Sequence, residues 1–178
     1  QACYTKQRMA SKLSAPVVAT CLGLFGLGVV AGLVQYMNRS SVLEKYVPGS
    51  SAVGAHLVLA GLAALALGVL FAIGRQRLLT APFSKSAFER FQQTVRLQSR
   101  LSVSTVARML VSLFLALLFL YNFWRAGDQV LGGLDPNYVV NAWGGPSYWG
   151  ASLAHWLDTV LLLYAQAALL HVAMVRRK

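Results

Sequence analysis

Acidic residues are nearly missing from this sequence: Asp and Glu number five in 178 residues, against 16 Lys and Arg. Charge of either sign is scarce, at 12% of residues where soluble domains carry about 25%. A chain that is also 57% hydrophobic has too few polar groups to cover a water-facing surface, which excludes an ordinary soluble fold. The two cysteines, Cys3 and Cys21, form no CxxC or metal-ligand spacing, so no disulfide framework or metal site is expected from them. Cys3, in a polar opening segment, is a candidate for lipid attachment. There is no nucleophile elbow, Walker loop, dinucleotide fingerprint or zinc spacing, and enzymatic chemistry is not expected.

Long apolar runs fill the gap. A bilayer crossing needs about 20 mostly apolar residues. Four stretches meet this, at about 15–36, 52–74, 105–124 and 149–175, and together they predict a single membrane domain over 1–178. The fold expected is an all-α integral membrane protein, a bundle of four transmembrane helices. The opening segment holds Lys6, Arg8 and Lys12 and no acid, which fits a cytoplasmic N-terminus or the end of an organellar targeting segment.

The cations are unevenly placed. Lys6, Arg8 and Lys12 precede the first span. Arg75, Arg77, Lys85, Arg90, Arg96 and Arg100 lie between the second and third, and Arg176, Arg177 and Lys178 follow the fourth. Alternating spans put all of these on one side. The other side has Arg39, Lys45 and Arg125, diluted by Glu44, Asp128 and Asp135. The positive-inside rule then places both termini inside, in a bacterial plasma membrane or an organellar inner membrane. The formal charge of +11 is accounted for by topology and attraction to anionic headgroups. Nucleic acid is not expected as a partner, because no basic region interleaves the aromatics of a single-strand channel. Trp124, Trp143, Trp149 and Trp156 gather at the outer end, as an interfacial belt or an aromatic-walled docking surface.

Both long loops carry local signals. Ser86 and Glu89 form a capping-box pattern, and Phe88, Phe91 and Val95 share a helical face; a short amphipathic helix lying in the inner interface is predicted. In the outer loop, Asp135-Pro136 is a helix start, with a short helix expected over 137–142, and Ser147 is placed to cap the fourth span.

Gly28 and Gly32 make a GxxxG pair in the first span, while Gly61 and Gly68 recur at seven residues in the second. Small residues let helix backbones approach closely, so a tight hairpin of the first two spans is expected. The polar residues within spans are the leads to chemistry, because ionisable groups there are costly. Asp158 lies near the expected midplane of the fourth span with no Lys or Arg at its depth, and Ser152, His155, Thr159 and Gln166 form a stripe beside it. His56 and His155, on different spans at similar depth, are candidate axial ligands of a b-type haem, with Asp158 orienting the imidazole.

Three functions remain. The leading expectation is a non-catalytic accessory or scaffolding subunit of a larger membrane complex, of a respiratory-type, energy-transducing kind, with lipid and other membrane subunits as partners. The second is a haem b or quinone anchor using His56, His155 and Asp158. The third is a small transporter or proton pathway around Asp158.

Overall fold

The computed structural model describes residues 13–96 and 102–174. Among these, all regular structure is helical apart from one isolated bridge between Leu13 and Ser84. Cys3, Lys6, Arg8, Lys12, Arg100, Val175, Arg176, Arg177 and Lys178 lie outside the described residues, so the readings that rest on them belong to the sequence alone.

Four helices are long and apolar enough to cross a membrane: α1 (Ala15–Met37), α2 (Val53–Ala72), α4 (Val103–Gly132) and α6 (Tyr148–Ala173). Their starts follow local rules. Pro16 sits in the first turn of α1, where a missing N–H costs nothing. Ser102 caps α4 by accepting from the Thr105 amide, and Ser147 caps α6 by accepting from the Gly150 amide.

The third span differs most from expectation. Hydropathy fails at Arg125, yet α4 runs on to Gly132, 30 residues in all. Nothing in Arg125-Ala126-Gly127-Asp128 breaks a helix that has neighbours on both sides, and the helix stops only at Gly132-Gly133. The added turns bury Gly127, Asp128, Gln129 and Gly132.

Between α2 and α4 lie a 3-10 helix (Gln76–Phe83) and α3 (Lys85–Arg96). The start of α3 is fixed by Ser84, not by Ser86: the Ser84 hydroxyl accepts from the Ala87 amide at 3.2 Å, and Ser86 Oγ lies 3.1 Å from Ser84 Oγ. Ser84 is therefore three residues before the amide it satisfies, the spacing an N-cap needs. The connector is fastened to three spans. The Ser14 amide donates to Phe83 O at 2.8 Å. The Phe83 ring meets Phe119 and Phe123 of α4, at 5.8 and 6.0 Å between centroids. The Tyr164 hydroxyl of α6 donates to Leu79 O at 2.7 Å.

At the other end, α5 (Pro136–Val139) begins where expected, with Asp135 accepting from the Asn137 amide, and ends at Val139, short of the expected 142. Two asparagines clamp it to the α1–α2 loop. Asn137 accepts from the Glu44 amide and donates to Val42 O, both at 2.8 Å. Asn141 accepts from the Val47 amide at 2.8 Å.

The bundle's main seam joins α1 to α4. Gly28 lies on the Trp124 carbonyl and the Asp128 amide, Gly32 on Asp128 and Gly132, and Gly127 on the Phe25 carbonyl and the Val29 amide. Rising numbers on α1 meet rising numbers on α4, so the two helices run parallel. A Cβ on Gly28, Gly32 or Gly127 would strike backbone, which cannot swing aside as a side chain can. Helix α6 runs antiparallel along the other side of α4.

The expected hairpin of the first two spans is absent. Helix α2 meets α6 and the 3-10 helix, and does not pack as a partner of α1. A Cβ at Gly54, Gly61 or Gly68 would find nothing within 4 Å. The reason lies in α4: its Gly127 and Gly132 offer α1 the same close backbone approach as a hairpin would, over a longer contact.

Candidate functional site

Helix α6 sorts its polar residues by face. The stripe noted in the sequence turns to α4. Ser152 is fully buried and accepts from Gln129 Nε2 at 3.3 Å. Thr159 is buried, and Gln166 Oε1 accepts from Asn122 Nδ2 at 2.9 Å. Asn122 gives a second N–H to Leu118 O at 3.0 Å, so both amide protons are used. Trp156 Nε1 donates to Ala126 O at 3.3 Å. These bonds satisfy groups that hydrocarbon could not, and each also fixes the rotation of α6 against α4.

Asp158 turns instead to α2, where it meets His56: Nε2 and Oδ2 are 3.2 Å apart. His56 Nδ1 lies 3.0 Å from Ala52 O, one turn back on its own helix. A carbonyl only accepts, so Nδ1 carries a proton. Nε2 then either donates to the carboxylate as an imidazolium or accepts from the carboxylic acid. In both forms one proton lies between His56 and Asp158, and the pair has no net charge. The Trp143 ring, in the loop between α5 and α6, lies 6.3 Å from the imidazole between centroids. Trp143 is held there because its carbonyl accepts from the Ala52 amide at 2.7 Å.

His155 lies one turn before Asp158 on α6. Its Nε2 is buried without a hydrogen-bond partner among the described residues. Both nitrogens of His56 are engaged, so binding of haem iron there would require Nε2 to leave Asp158. Among the described residues no group of three or more His, Cys, Asp or Glu could hold a metal ion.

A second polar cluster sits in the turns of α4 that hydropathy alone assigns to the loop. Asp128 is buried at the α1–α4 seam and accepts from the Tyr138 hydroxyl at 3.4 Å. Burial, with Asp128 adding, pushes the Tyr138 phenol above its ordinary range, so it remains a donor. The signal in the sequence is the pair of small residues Gly127 and Gly132 that flank Asp128 beyond Arg125.

No protein-family model, curated protein or solved structure matches the chain.

Proposed function

We propose that this chain is a non-catalytic accessory or scaffolding subunit of a larger membrane complex. The carrying observation is a contrast within the molecule. Gly28 and Gly32 of α1 are filled by α4, whereas on the face of α2 bearing Gly54, Gly61 and Gly68 no described residue lies within 4 Å of an added Cβ. Glycine weakens a helix by about 1 kcal/mol relative to alanine. Its use three times along one span is repaid where another backbone approaches closely. Purification in mild detergent tests this: a partner subunit should co-purify, and Gly68→Leu should release it while leaving the chain's own unfolding temperature unchanged. A monomer with no partner would overturn the proposal.

Both termini lie on the inner side in this reading, α3 lies in the inner interface, and the membrane is a bacterial plasma membrane or an organellar inner one. The cation distribution supports the sidedness, and the exposed Arg75, Arg77 and Lys85 on the connector suit a headgroup layer. Cysteines placed singly at Ser84 and Asn141 should label from opposite sides. Labelling of both from one side would refute the alternating four-span arrangement.

A second reading is supported by one observation, the 3.2 Å contact between His56 Nε2 and Asp158 Oδ2, which has room for one shared proton. A pair of this kind at membrane depth is a candidate relay for proton movement, and the chain would then serve as a small proton pathway or as part of one. Flux measurements on Asp158 variants separate this from a structural role.

A further inference from the structure

The connector, the start of α1 and parts of α4 and α6 form a half-open cavity of about 570 Å3, lined by residues including Val17, Leu78, Phe88, Ala116, Ala168 and His171. Its size lies within the range of about 300–1,000 Å3 typical of small-molecule sites. The small side chains of Ala116 and Ala168 leave the space, and the aromatic and branched ones wall it.

The chemistry at its edge is one-sided. Arg90 Nη1 lies 2.8 Å from His171 Nδ1, and Arg90 Nη2 donates to His171 O at 3.0 Å. A guanidinium only donates, so Nδ1 is the acceptor and the imidazole keeps its proton on Nε2. His171 is thus held as an N–H donor. Arg77 and Lys85, both exposed, flank the lining residues Leu78 and Ala87 in sequence. Glu89 is the one acidic residue between Gly74 and Arg108.

We propose that this cavity is a binding site for an acidic phospholipid, with one acyl chain in the apolar space and the phosphate over the basic connector. Polarity matches a lipid: an apolar chamber takes hydrocarbon, while Arg90 holds the lining residue His171 and the exposed Arg77 and Lys85 adjoin lining residues in the sequence, cations that suit an anionic headgroup. The inference rests on the membrane reading and is independent of whether the chain is a subunit.

The test compares phosphatidylglycerol with phosphatidylcholine, by native mass spectrometry of the detergent-purified full chain and by the unfolding temperature with each lipid added. Phosphatidylglycerol should be retained in preference and should raise the unfolding temperature more. Ala168→Phe, which fills the cavity, should abolish both effects while keeping the lipid-free unfolding temperature. Should that variant fail to fold, Arg77→Gln with Lys85→Gln leaves the cavity open and should weaken phosphatidylglycerol binding about fivefold per cation removed, about 1 kcal/mol each. Equal retention of the two lipids, or an unchanged preference in the charge variant, would overturn the proposal. Co-extraction of a quinone in place of phospholipid would also overturn it, assigning the cavity a redox ligand.

Discussion

Gly28→Leu should destabilise the chain more than any other single change considered, by about 3 kcal/mol, the upper part of the usual overpacking range. The new side chain meets the Trp124 carbonyl and the Asp128 amide, both backbone on a helix that cannot step back locally. Separating α1 from α4 would also strip contact from Gly32 and Gly127, which lie in the same seam. Gly23→Leu is the matched control. It lies on the same helix, gains the same helix propensity, and finds nothing within 4 Å of its Cβ. It should change stability by about 0.5 kcal/mol or less, as surface substitutions do. Unfolding of both variants in mixed detergent measures the difference. Equal stability of Gly28→Leu and Gly23→Leu would mean that α1 does not pack on α4 through this face.

The second large effect is expected at Asp158. Helix α2 has few neighbours, and its polar ties to the rest of the bundle lie near its N-terminal end: the His56–Asp158 contact, and the Ala52 amide on Trp143 O. Asp158→Leu removes one of these and leaves His56 Nε2 without its partner, a loss of about 1–2 kcal/mol on the scale of interhelical hydrogen bonds in membranes. Asp158→Asn differs in kind. Its amide can still donate to a neutral His56 Nε2, so the helix contact survives while the mobile proton does not. Hydrogen exchange of α2 amides should therefore rise in Asp158→Leu and stay near wild type in Asp158→Asn. Proton flux in proteoliposomes then separates the two functional readings. Loss of flux in Asp158→Asn with α2 still protected assigns a titrating role to the pair; equal flux confines the pair to holding α2.

The four spans were legible in the sequence because hydropathy is a property of consecutive residues, and a bilayer crossing demands about 20 of them whatever the neighbours are. The caps at Ser147 and Asp135 were legible for a related reason, since a cap is satisfied within three residues of itself. The Ser84 cap was not, because Ser84 and Ser86 both stand before an apolar face and only the backbone decides which turns first. The end of α4 was misjudged because Arg125 and Asp128 lower the hydropathy although they do not break a helix.

Pairing was a different matter. Gly28, Gly32, Gly61 and Gly68 announce surfaces that permit close approach, and all four could be read as such, but a permissive surface does not name what it meets. Tertiary structure placed α4 against α1 because Gly127 and Gly132 allow mutual backbone contact over several turns, and left α2 outside. In the same way, Asp158 was conspicuous in the sequence as a carboxyl without a countercharge. His56 could be named there only as one of two candidate histidines, because it lies 102 residues away and reaches Asp158 only once the loop between α5 and α6, through Trp143, sets the height of α2 beside α6. Sequence alone determined the four helices long and apolar enough to cross a membrane, through the local cost of apolar and charged residues; the choice of neighbours, a long-range matter of shape, was decided only by the fold.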